Sequence, residues 1–82
     1  MQEAKTIYVT GGAQGIGLGI AHHLLIAGHR VVITDIDEEA LSAARARLPY
    51  SEYLLALVAD AGNEQQVSKS ITQAVSHFGQ LD

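Results

Sequence analysis

Apolar and polar positions along this chain switch repeatedly between two periods. Thr6-Ile7-Tyr8-Val9-Thr10 is a short β-branched and aromatic run, the composition of a strand. Beyond a cluster of glycines, Ile16, Ile20, Leu24 and Ala27 recur at helical spacing, and Ala21 with Leu25 widens the stripe. That pattern predicts a helix, and Gly28 supplies a residue that readily takes the left-handed conformation at its end. The same sequence of signals then returns. Arg30-Val31-Val32-Ile33-Thr34 suits a strand covered on both faces. Asp37 is placed to cap a second helix, Glu38 and Glu39 put negative charge at its positive end, and Pro49 stops it. Leu41, Ala44 and Leu48 form its apolar face. A third run, Tyr53–Ala59, predicts a strand. Asn63 with Gln66 has the spacing of a capping box, before a helical stripe of Val67, Ile71, Ala74, Val75 and Phe78 closed by Gly79.

The chain therefore reads β-α-β-α-β-α. Short buried strands alternating with helices predict an α/β fold, a Rossmann-type doubly wound parallel sheet. Right-handed crossovers place the first two helices on one face, and a reversal after the third strand puts the third helix on the other. No linker or low-complexity segment interrupts the pattern, so residues 1–82 read as part of one domain.

Composition narrows the possible functions. Hydrophobic residues make up 48% of the 82 and charged residues 17%, too apolar for disorder. Nine acidic against five basic residues give a net charge of −4, which argues against nucleic acid or an anionic membrane as partner. There is no cysteine, so thiolate metal sites and cysteine nucleophiles are excluded. Met1–Thr6 lacks the basic-then-apolar layout of a leader, and no apolar run approaches the ~20 residues of a membrane span. The expectation is a soluble, cytoplasmic chain, short beside the ~100–150 residues of an ordinary domain.

Five of the eight glycines, Gly11, Gly12, Gly15, Gly17 and Gly19, crowd into nine residues between the first strand and the first helix. Glycine lets backbone turn sharply and approach a ligand, and the following helix N-terminus offers free N–H groups to a pyrophosphate. A triphosphatase loop needs Lys-Ser/Thr after its last glycine, but Leu18 and Gly19 follow Gly17. The spacing G-x-G-x-x-G fails as well, because Ile20 or His22 stands where the third glycine belongs. Asp35 ends the second strand 18 residues after Gly17, about where a dinucleotide fold places the acid that binds the adenosine ribose. A carboxylate there accepts from the diol and repels a 2′-phosphate, favouring NAD over NADP. Its alternative is a helix cap, a role that Asp37 fills better.

The spacing that fits is T-G-x-x-x-G-x-G, formed by Thr10, Gly11, Gly15 and Gly17. With Ile16 it resembles the glycine motif of the short-chain dehydrogenase/reductase family, in its single-domain, non-extended form. The resemblance runs from Ile7 to the end of the chain and implies an N-terminal half. It implies a cofactor site of Thr10, Gly11, Gln14, Gly15, Ile16, Gly17, Asp35, Ile36, Asp60 and Ala61. Gln14 and Ile36 stand where NADP users of the family often carry basic residues. Asp60 matches the acid lying beside the adenine, with Ala61 a departure from the commoner valine; its alternative role is to stabilise the turn before Asn63.

The remaining polar residues carry less. His22, His23, His29 and His77 have no metal-ligand spacing, Arg45 and Arg47 fit a solvated face, and Ser42, Ser51, Ser68, Ser70 and Ser76 lack a base and orienting acid. The family's catalytic serine and Tyr-x-x-x-Lys pair have no counterpart. Tyr8, Tyr50 and Tyr53 are followed four residues on by Gly12, Leu54 and Leu57. The chain is thus expected to hold the cofactor-binding part of an NAD-dependent oxidoreductase acting on an alcohol or carbonyl, with neither catalytic nor metal-ligating residues. In the implied strand order 3-2-1-4, Ile7, Tyr8 and Val9 lack a neighbour, so a C-terminal half or a second copy is expected to cover that edge. The third helix should likewise leave Val67, Ile71, Val75 and Phe78 exposed. Two other readings are a non-catalytic nucleotide-binding or interaction module of the same fold and, less favoured by the glycine spacing, a methyltransferase-like fold holding S-adenosylmethionine.

Overall fold

The computed structural model describes residues 3–82; the start of the Met1–Thr6 segment, in which no leader was expected, lies outside that range. Three strands, β1 (Thr6–Thr10), β2 (Arg30–Asp35) and β3 (Leu54–Val58), alternate with helices α1 (Gly15–Ile26), α2 (Glu38–Arg47) and α3 (Glu64–Phe78). The strands pair in parallel with β2 in the middle, Thr6 opposite Arg30 and Val31 opposite Leu54. The central position explains the composition of β2. Val31, Val32, Ile33 and Thr34 are all buried, whereas β1 and β3 are mostly half-buried.

Side chains of a strand alternate between faces. Val31 and Ile33 join Ala21 and Leu25 of α1 and Leu41 and Ala44 of α2 in one core, with Leu48 beyond α2. On the other face Tyr8 meets Ser70 of α3, so the third helix lies opposite the first two, as the doubly wound reading requires. Asp37 caps α2 by accepting from the Ala40 N–H at 3.1 Å, and Gly28 and Gly79 take positive φ beyond α1 and α3.

Four local expectations need correction. Residues Ser51–Tyr53 form a short 3-10 turn, so the third strand begins at Leu54 and stops at Val58. In α1 the expected Ala21, Leu24 and Leu25 meet the core, joined by Leu18, but Ala27 is exposed, Ile16 is 85% exposed and Ile20 47%. In α3 Val67, Ser70, Ala74 and Phe78 face the sheet, and Ile71 and Val75 turn outward; Val67 and Phe78 are half-buried rather than bare. Small residues at the contact let this helix approach the strands closely. The capping box of α3 is also rewired. Asn63 accepts from the Gln66 N–H, but Gln66 accepts from Asp60 rather than from the Asn63 N–H. The Asn63 amide is already bonded to the Asp60 carbonyl at 2.9 Å.

Candidate functional site

The C-terminal ends of the three strands bring together the glycine turn, Asp35 and Asp60. Gly11 and Gly15 adopt φ of +63° and +53°, in the left-handed region that side chains disfavour. The inner side of the turn has no spare room. The Gly12 N–H donates to the Thr34 carbonyl at 3.1 Å, and a Cβ on Gly12 would sit 2.6 Å from Ile33. A Cβ on Gly17 would strike the Gly11 carbonyl oxygen and come within 3.1 Å of the Gly12 Cα. The outer side is open, with nothing within 4 Å of where a Cβ on Gly11 or Gly15 would lie.

The three helix N-termini differ in a way that bears on ligand chemistry. Asp37 and Asn63 cap α2 and α3 with their side chains, and both helices carry glutamate in the first turn. At α1 the N-cap residue Gln14 is extended, makes no capping bond, and no acid occupies the first turn. The first bond along the helix is Leu18 N–H to Gln14 C=O at 3.2 Å. The amides of Gly15, Ile16 and Gly17 consequently have no partner among the described residues, at a helix end carrying about half a positive charge. An anionic group would find both hydrogen-bond donors and a favourable field there. Thr10 stands exposed at the end of β1 beside this turn.

Asp35 closes β2, half-buried, and Asp60 lies two residues past β3, exposed. They share one local geometry: Asp35 Oδ1 accepts from the Asp37 N–H at 3.1 Å, and Asp60 Oδ1 accepts from the Gly62 N–H at 2.9 Å. In each case Oδ2 has no partner among the described residues. Asp60 therefore does stabilise its turn, one of the two roles its position suggested, with its second oxygen uninvolved in that bond. Ile36 is 68% exposed beside Asp35, and Ala61 is exposed beside Asp60. The Ala59 N–H bonds the Asp35 carbonyl at 3.1 Å, which ties the two acid-bearing strand ends together. The sequence did not reveal Gln66 as a neighbour of this site: its Oε1 accepts from the Asp60 N–H at 2.8 Å. The Asn-x-x-Gln spacing was legible, the destination of the side chain was not.

Other polar groups fall elsewhere. Among the described residues no group of three histidine or acidic side chains is placed to hold a metal. His22, His23 and His77 are exposed, and His29 Nδ1 accepts from the Lys5 N–H at 3.0 Å. Ser70 is buried and donates to the Val67 carbonyl at 2.7 Å, so the Tyr8 hydroxyl, 2.6 Å away, must donate to Ser70. At the opposite sheet end Asp82 returns to β1: its carboxylate accepts from the Thr6 N–H at 2.8 Å, and its own N–H donates to the Thr6 carbonyl. The Thr6 amide, and more weakly Gln80, Lys5 and Arg30, hold this carboxyl below its ordinary pKa against some desolvation. No helix among the described residues is long and apolar enough to cross a membrane.

Residues 5–82 match the family model for short chain dehydrogenases. An uncharacterized oxidoreductase of Mycobacterium bovis is 40% identical over 79 residues, which cover 96% of this chain and 32% of the relative. A short chain dehydrogenase from Bacillus anthracis superposes with a TM-score of 0.89 at 33% identity, covering 95% of this chain and 33% of that one. A 3-ketoacyl-(acyl-carrier-protein) reductase from Brucella melitensis, crystallised with NADH, superposes at 0.88 with 31% identity, over 98% of this chain and 32% of its own. The chain spans about a third of the length of the curated relatives it matches. With its glycine turn, parallel β1-β2-β3 sheet and matched residues 5–82, the chain belongs to the short-chain dehydrogenase family.

Proposed function

We propose that residues 1–82 form the dinucleotide-binding part of an NAD-dependent oxidoreductase acting on an alcohol or carbonyl substrate. The observation that carries this reading is the bare N-terminus of α1, without side-chain cap or acid where α2 and α3 have both, set behind an outwardly open glycine turn. Thr10, Gly11 and Gln14–Gly17 hold the pyrophosphate through backbone N–H groups. Asp35, with Ile36 beside it, accepts from the adenosine ribose hydroxyls through its free oxygen. Asp60 and Ala61 border the adenine. The cofactor, when bound, supplies hydride transfer to or from a carbonyl carbon; these residues supply binding and orientation.

Asp35 favours NAD because a 2′-phosphate would bring negative charge against a half-buried carboxylate, and neither Gln14 nor Ile36 can neutralise it. The test is a pair of titrations, NAD and NADP, on the protein and on Asp35→Ala. A hydrogen bond to a charged group is worth ~1.5–3 kcal/mol, so NAD affinity should fall roughly ten- to a hundredfold while NADP gains relative to NAD. An unchanged NAD-to-NADP ratio would overturn the assignment.

With no tyrosine four residues before a lysine, the 82-residue chain is expected to bind without turnover. The outer edge of β1 calls for a partner. Arg30 N–H bonds the Lys5 carbonyl, which turns the backbone groups of Thr6, Tyr8 and Thr10 away from β2. Asp82 satisfies those of Thr6, and those of Tyr8 have no partner among the described residues. More chain running along this edge, or a second copy, would bury it. Sedimentation separates the outcomes: a monomer that unfolds cooperatively on its own would refute the need for either. A cytoplasmic location accords with this reading.

A further inference from the structure

We infer that Gln66 is the positioning residue that aims Asp60 at the adenine, and so sets the preference for an adenine base over one lacking the exocyclic amine. The inference rests on the adenine role of Asp60 proposed above. The segment from Asp60 to Asn63 is exposed throughout. Two of its bonds are internal: Gly62 N–H to Asp60 Oδ1 at 2.9 Å, and Asn63 N–H to the Asp60 carbonyl at 2.9 Å. They fix the shape of the turn but not its direction. Behind it, the chain is anchored at Ala59, buried and bonded to Asp35. In front, Asn63 is held by the Gln66 N–H at 3.1 Å. Between these anchors the peptide carrying the Asp60 N–H is held, among the described residues, by Gln66, whose side chain reaches back six residues to accept it at 2.8 Å.

Gln66 therefore forms a bracket. Its amide N–H holds Asn63 and its side-chain oxygen holds Asp60, so both ends of the turn are fixed to the first turn of α3. Removing the side-chain acceptor leaves the Ala59 and Asn63 anchors in place but frees the Asp60 peptide between them, and the direction of Asp60 Oδ2 relaxes. An adenine amine donates to that oxygen, whereas the hypoxanthine carbonyl at the same position repels it. Base preference therefore reports on the aim of Asp60 in a way that overall stability does not.

The test titrates the chain with NAD and with nicotinamide hypoxanthine dinucleotide. The unmodified protein should prefer NAD by about tenfold, the scale of one hydrogen bond to a charged group. Gln66→Met keeps length and helix propensity but loses the acceptor, and should bring the two affinities within about threefold of each other. Gln66→Glu restores an acceptor and should restore the preference, since its added charge acts on both dinucleotides alike. Asp60→Ala separates the two levels of inference. If it leaves the preference intact, the adenine role itself is wrong and the inference falls with it. If Asp60→Ala abolishes the preference and Gln66→Met does not, the adenine role stands and the bracket is wrong. Amide exchange in the unmodified protein decides the matter if a variant does not fold: a protected Asp60 N–H is expected, and one exchanging like free chain overturns the inference.

Discussion

Gly17 and Gly19 lie two residues apart in the same helix, and the same substitution at each should move stability in opposite directions. At Gly19 an added Cβ meets nothing within 4 Å, and the residue sits inside a helix. Alanine there removes only backbone entropy from the unfolded chain, a gain of ~0.5–1 kcal/mol. At Gly17 the Cβ would be driven into the Gly11 carbonyl and lie 2.9 Å from the Gly11 carbonyl carbon and 3.1 Å from the Gly12 Cα. All three are backbone atoms, so no rotamer change relieves them. Nor can the turn retreat, because Gly12 is bonded to Thr34 and packed on Ile33. Overpacking of this kind costs ~1–3 kcal/mol, set against the same propensity gain. Thermal unfolding followed by circular dichroism reads both, at about 4–8 °C per kcal/mol for a domain of this size. Gly19→Ala should raise Tm by a few degrees, and Gly17→Ala should lower it and weaken NAD binding. A Tm that rises in Gly17→Ala, or falls in Gly19→Ala, would refute the close approach of α1 to the turn.

Three further outcomes follow from individual bonds. Ser70→Ala removes the acceptor of the part-buried Tyr8 hydroxyl and should cost towards the lower end of ~1–3 kcal/mol in urea unfolding, while Tyr8→Phe, which leaves Ser70 bonded to Val67, should cost no more than ~1 kcal/mol. Asp37→Ala should lose ~1 kcal/mol of stability as the cap of α2 disappears, and a compensating Asp37→Asn should recover most of it. Asp82 carries a pKa lowered in the folded state from its ordinary 3.8. Its contribution is therefore complete above that value and lost as pH falls through the folded one. Asp82→Asn should flatten the loss of stability below about pH 4, and an identical acid profile in both proteins would contradict the bond to Thr6.

The sequence legibly encoded each element and its ends where the signal was local. Strand composition, the Asp37 cap, the glycines after α1 and α3, and the run of four buried residues in β2 all depend on neighbours within one turn or one strand. The glycine turn was legible for the same reason. A spacing that only closely approaching backbone requires appears within eight residues, and its inner side is packed as that spacing implies. The acids Asp35 and Asp60 were legible as strand-end carboxylates. That one oxygen of each is engaged by the amide two residues on was not, because an Asx turn and a free carboxylate share one sequence.

The azimuth of the helices lay beyond periodicity. The stripe Ile16-Ile20-Leu24 and the face Leu18-Ala21-Leu25 both satisfy a helical repeat, and of the first only Leu24 packs against the core. Contact of Gly17 with the turn rotates the second face inward and leaves Ile16 outside. In α3 the same choice falls to small residues, Ser70 and Ala74, over the larger Ile71 and Val75, because distance to the sheet and the Tyr8 hydroxyl decide which face can approach. Long-range bonds were equally hidden: Gln66 to Asp60, Asp82 to Thr6, Lys5 to His29. Sequence by itself determined which residues are helical, extended or turning, since those preferences are set by adjacent side chains. Tertiary structure decided which face is buried and which polar groups are spent, since both depend on atoms brought together from distant parts of the chain.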